Sequence, residues 1–159
     1  MIQRIQSVYL LLSAVMYVLL FVLPVYTLVS DTPQLTTEMY VHQIVTYDDT
    51  DQAITQKTTE WVPLLITAAL ILLSLVTLFL YKNRILQIKL VRFMMLLGSA
   101  LVVVMIFTKD KADQLIPTPD DVIYTYAIGF LIAPLLLYFL ANRAIFKDER
   151  LVRSADRLR

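Results

Sequence analysis

The sequence contains no cysteine, only two glycines and a single histidine. The first absence excludes disulfides, thiolate metal sites and cysteine nucleophiles together. Gly98 and Gly129 cannot make a glycine-rich phosphate cradle, and no GxxxxGKS/T, GxGxxG, HExxH or GxSxG motif is present. His42 stands among Thr and Gln, short of the ligand set a metal needs, and reads as a surface residue. Charge is scarce as well. Charged residues make up 17% of the chain and apolar ones 58%, where soluble globular chains average about 25% and about 45–50%.

What is present is apolar sequence in long runs. Those at residues 8–29, 61–81, 88–108 and 121–142 each have the ~17–25 residues that cross a ~30 Å hydrocarbon core. Their only charges, Lys89, Arg92 and Asp121, lie near the starts of the third and fourth runs. A charge at mid-span costs roughly 2.5–3.5 kcal/mol on insertion scales, so the pattern predicts four transmembrane helices. The first run exceeds the ~7–15-residue apolar core of a signal peptide and reads as a retained span. Ion and proton paths are built from intramembrane ionisable groups, which these runs lack. The hydroxyls of Tyr17, Ser74, Thr77 and Ser99 read as helix–helix hydrogen-bond partners or as bonded to the backbone, ahead of a substrate path.

Charge fixes the expected orientation. The segment YKNRILQIKLVR, residues 81–92, carries Lys82, Arg84, Lys89 and Arg92 and no acid. Such turns stay in the cytoplasm because Lys and Arg near span ends resist translocation. With both termini on the same side as this turn, that side holds eleven cations and three acids, a net of +8. The other side holds three cations and ten acids, a net of −7. Inverting the chain would put most of its cations outside.

The polar segments are less regular. Residues 39–47 (MYVHQIVTY) favour a strand, Asp48, Asp49 and Asp51 a turn, and residues 53–58 a returning strand, which predicts a small outer β-hairpin. The Asp cluster lacks the glycine and distal Glu of a calcium loop, so it reads as solvated. Thr118, Pro119, Asp120 and Asp121 look like a helix start, with Thr118 as N-cap, proline at the first helical position and two acids facing the positive helix end. Gly129 and Ala133 form a small-xxx-small pair that predicts close helix packing, and Pro134 predicts a kink. In the tail, Ile145, Val152, Ala155 and Leu158 recur at helical spacing. The cationic residues Arg143, Lys147, Arg150, Arg153 and Arg157, with Val152 and Leu158, are the candidate surface for a protein partner or anionic lipid.

The expected fold is an all-α membrane protein of one domain, residues 1–159. It has four transmembrane helices, N-in/C-in, a small extracytoplasmic β-hairpin between helices 1 and 2, and an amphipathic cytoplasmic C-terminal helix. Its outer loops are 30–60 and 109–120, its cytoplasmic turn 82–89 and its cytoplasmic tail 143–159.

Three segments carry a family resemblance: the opening MIQRIQSVYL, the central YKNRILQIKL and the closing KDERLVRSADRLR. They resemble the small four-span membrane proteins of Bacteroidota grouped as domain of unknown function 4293. The resemblance implies a multi-pass protein of the bacterial inner membrane and attaches no activity. The residues therefore suggest a non-enzymatic accessory or scaffold subunit of an inner-membrane assembly (translocon, respiratory or envelope-biogenesis), with no cofactor, no metal and no catalytic residue. Expected partners are other inner-membrane subunits and anionic phospholipids at the cytoplasmic face. Nucleic acid is not expected, except contact with a ribosome if the host is the translocon. The rivals are a small homo-oligomeric transporter or lipid-handling protein and, with less support, a membrane enzyme using Asp120 and Asp121.

Overall fold

The computed structural model describes residues 5–31, 34–48, 53–80, 83–113 and 121–157. Four helices, α1 (Ile5–Leu19), α2 (Trp61–Phe79), α3 (Arg84–Asp113) and α4 (Ala127–Arg157), form a closed ring. In it α1 packs on α2 and α4, and α3 packs on the same two. Five strands cap one end: β1 (Tyr26–Asp31), β2 (Gln34–Met39), β3 (Gln43–Asp48), β4 (Ile54–Thr59) and β5 (Asp121–Tyr124). Their order is β4-β3-β2-β1-β5, with each neighbouring pair antiparallel.

The chain is therefore not all-α, which corrects the expectation from hydropathy. Among the described residues three helices are long and apolar enough to cross a membrane: α2, α3 and the Ala127–Arg150 part of α4. The helix α1 stops after 15 residues, about 22 Å at ~1.5 Å per residue. Pro24 explains the stop. It has no N–H, its ring collides with the carbonyl four residues back, and the residue before it avoids helical geometry. The final helical hydrogen bond runs from Leu23 N–H to the Leu19 carbonyl. Beyond Pro24 the run continues as β1, where Tyr26, Leu28 and Ser30 are buried and Thr27 and Val29 are half-buried. That two-residue period is a strand signature.

The expected hairpin is present as β3 and β4, but it is the outer part of a larger sheet. Within 39–47, the chain turns at Tyr40–His42, closed by Tyr40 N–H to the Gln43 carbonyl at 2.9 Å. Thr118, Pro119 and Asp120 lie outside the described residues. Asp121 does not open a helix: with Val122, Ile123 and Tyr124 it forms β5, paired with β1. The β-branched and aromatic side chains there favour a strand, and α4 begins at Ala127 and continues through Pro134.

Bundle and sheet share one core. Leu28, Met39 and Ile44 of the sheet join Leu20, Leu70, Leu101 and Tyr138 in a contiguous buried cluster. On the same sheet face the Thr37 and Thr46 hydroxyls hydrogen-bond across β2 and β3 at 2.8 Å. The end of α3 reaches the sheet against β2, and its Lys111 donates to the Glu60 carboxylate at the start of α2, 3.2 Å away. Outward faces carry Leu65, Leu72, Phe79, Leu96, Ile106 and Leu136 in exposed positions. A belt of large apolar side chains of this kind suits lipid contact.

Candidate functional site

At the end of the bundle away from the sheet, α3 and α4 lie side by side, far apart in sequence. The Arg84 guanidinium donates to the Asp148 carbonyl at 3.0 Å, and the Arg92 guanidinium sits 5.1 Å from the centre of the Phe146 ring. Between them opens a cavity of about 380 Å³ lined by Ile85, Ile88, Lys89, Arg92, Phe146, Glu149 and Arg150. The spacing explains the assembly. Residues 85, 88, 89 and 92 form one stripe of α3, and residues 146, 149 and 150 one stripe of α4, because positions three and four apart share a helix face. Ile88 is buried, and Lys89, Arg92 and Arg150 are exposed. The result is an apolar floor with three cations and one acid around it.

Inside the bundle, uncharged polar groups make hydrogen bonds between helices, while Ser13, Thr67 and Thr108 bond to carbonyls of their own helices. Ser74 of α2 and Tyr138 of α4 share a hydrogen bond at 2.7 Å, and the Ser74 hydroxyl also lies 2.8 Å from the Leu70 carbonyl. Gln87 of α3 donates to the Thr77 carbonyl of α2 at 2.9 Å. The Tyr17 ring stands 6.3 Å from that of Tyr138, and its hydroxyl has no hydrogen-bond partner among the described residues. Gly98 makes room for it: a Cβ there would lie 3.0 Å from the Tyr17 hydroxyl and 2.8 Å from Leu135 Cδ2.

At the sheet end, His42 stacks on Phe21 with ring centres 5.6 Å apart and is flanked by Tyr40 at 5.8 Å. Burial holds its imidazole below the ordinary value, and nearby Lys57 adds to the effect. Tyr40 donates to the Glu38 carboxylate at 2.8 Å; burial and that bond push its hydroxyl up to about 12. Tyr26 is raised by burial, reinforced by Asp113 and Asp110. Among the described residues no three His, Asp or Glu side chains form a metal-binding group.

The sequence matches the family described as Domain of unknown function (DUF4293) over residues 2–158. The chain belongs to this family. No curated protein matches it.

In this DUF4293 protein the residues expected to meet a partner are dispersed. Arg150 lines the α3–α4 groove, whereas Arg143 and Lys147 are exposed on α4 outside it. Val152, Arg153 and Arg157 continue the α4 backbone as expected for a helical extension, with side chains outside the described set, and Leu158 lies outside the described residues. Among the described residues nothing would meet a Cβ at Gly129 within 4 Å, so the close packing expected there is not found among them; Ala133 is half-buried. The glycine under close contact is Gly98. In the sequence Lys89 and Arg92 serve only to set orientation, and Phe146 has no role. Their i, i+3, i+4 stripes were the available signal.

Proposed function

We propose that this DUF4293 protein is a non-enzymatic accessory subunit of a bacterial inner-membrane assembly, holding a partner subunit at the extracytoplasmic face through its sheet. The orientation follows the charge asymmetry. The basic end lies in the cytoplasm with both chain ends, because α1 leads into β1 and α4 leaves β5 at the opposite, sheet end. The observation that carries the reading is β4, one of the two edge strands, paired among the described residues only with β3 and exposed along nearly its whole length. A free strand edge offers unpaired N–H and C=O groups, the template on which an extended segment of another chain adds as a further strand. The irregularity at Thr46 and Tyr47 and the edge cation Lys57 oppose indiscriminate self-pairing.

The test uses one backbone atom. Glu60 N–H donates to the His42 carbonyl at 3.0 Å, so strand alternation turns the Lys57 N–H to the outer edge. Lys57→Pro removes that donor without touching the β3–β4 ladder. A foreign subunit that co-purifies stoichiometrically in mild detergent should be lost from Lys57→Pro and kept by a chain ending after Ala144. Loss only on tail truncation moves the docking surface to α4. Purification of this chain with itself alone favours the homo-oligomeric transporter. Cysteines at Thr50 and Ser154 test orientation: an impermeant maleimide applied to spheroplasts should label only the first.

A further inference from the structure

We propose that the groove between α3 and α4 is a binding site for the phosphate headgroup of an anionic phospholipid. The inference rests on the orientation above only in placing the basic end at a headgroup layer. Three observations converge. Lys89, Arg92 and Arg150 ring one cavity of about 380 Å³ with Glu149 as the one acid among the described lining residues, a net of two positive charges among them for a phosphate. Arg92 lies over Phe146, a contact with a ring face that does not consume guanidinium N–H donors and fixes where they stand. The walls are apolar, from Ile85, Ile88 and Phe146.

The surroundings distinguish a lipid from a soluble phosphate. One turn further along α3, Phe93 and Leu96 are exposed, and on α4 Phe139 is exposed two turns before Phe146. An acyl chain has an apolar track to lie on beside the cations, which an inorganic phosphate or a sugar phosphate would leave unused. Cations at a bilayer surface gain most from anionic lipid when several converge. The volume falls within the ~300–1,000 Å³ of small-ligand sites.

The experiment uses the full chain in mild detergent. Native mass spectrometry follows lipid adducts during titration with phosphatidylglycerol or phosphatidylcholine, with inorganic phosphate as competitor. The parent should retain phosphatidylglycerol in preference to phosphatidylcholine, and millimolar phosphate should not displace it. Lys89→Gln with Arg150→Gln should weaken phosphatidylglycerol about tenfold or more, as removing two converging cations implies. Arg143→Gln with Lys147→Gln, exposed on α4 but outside the groove, should weaken it clearly less than the groove pair does. Both pairs replace exposed side chains, and circular dichroism checks that each folds as the parent; if the groove pair does not, Lys89→Gln alone is read. Equal weakening by the two pairs, equal retention of the two lipids, or displacement by phosphate each overturns the proposal. Because Lys57→Pro leaves this groove intact, loss of lipid selectivity and loss of the β4 partner are separate failures.

Discussion

The two glycines of this chain give the sharpest test of its packing, because they have the same chemistry in opposite surroundings. At Gly98 a Cβ would stand 2.8 Å from Leu135 Cδ2 and 3.0 Å from the Tyr17 hydroxyl; at Gly129 it would meet nothing within 4 Å. Leu135 can swing its methyl aside. Tyr17 cannot retreat easily, since it is fully buried with its ring against Tyr138. Gly98→Ala should therefore cost little, as overpacking of about 1 kcal/mol is offset by about 1 kcal/mol of helix propensity gained over glycine. Gly98→Leu adds three further carbons between α3 and the α1–α4 pair, and belongs at the upper end of overpacking costs, about 3 kcal/mol. For a chain of this size that is a fall of about 6–12 °C in Tm. Gly129→Leu should leave Tm unchanged or raise it slightly, because it gains propensity and meets no neighbour. Thermal unfolding in detergent, followed by circular dichroism at the helix band, reads all three. A drop at Gly129→Leu equal to that at Gly98→Leu would falsify the assignment of the close contact to Gly98.

Two more expectations follow from contacts already described. Ser74→Ala and Tyr138→Phe in a double-mutant cycle should show a coupling of about 0.5–1.5 kcal/mol, the range of interhelical hydrogen bonds inside membranes; zero coupling would mean that the 2.7 Å bond adds nothing over water or lipid. His42, whose imidazole is held below its ordinary value by burial and by Lys57, makes the sheet acid-sensitive. The folded state resists the proton that the unfolded chain accepts near pH ~6.5, so stability present above that pH declines as pH falls through it. Tm measured from about pH 8 to about pH 5 should drop more in the parent than in His42→Gln, and identical slopes would remove His42 from the account.

The sequence made the membrane character and the charge asymmetry legible because both are sums over side chains. It did not reveal where helix gives way to strand inside an apolar run. Hydropathy scores Tyr26–Ser30 and Val122–Tyr124 by transfer energy, which is indifferent to backbone conformation, and both read as ends of spans. The signs that oppose helix there are local: Pro24, and β-branched and aromatic side chains in succession. The strand β5 has the further difficulty that only pairing with β1, from the other end of the chain, makes it a strand. The groove was half visible. Lys89, Arg92 and Arg150 were noted as cations, but the meeting of two helix stripes is tertiary information. Gly129 failed as a packing signal for a related reason. A small-xxx-small spacing says that close approach is possible and not which neighbour is there.

The pairing of β5 with β1 has a consequence for how the molecule is made. Until residues 121–124 have crossed to the sheet side, β1 has one unpaired edge, and until α4 follows, α1 has only α2 beside it. Both vacancies close together, because the strand and the helix that fill them are consecutive. Completion of the sheet thus coincides with the docking of α4 on α1. Contacts this distant along the chain are slow to form, so the β1–β5 pairing and the packing of α4 on α1 belong to the last steps of folding.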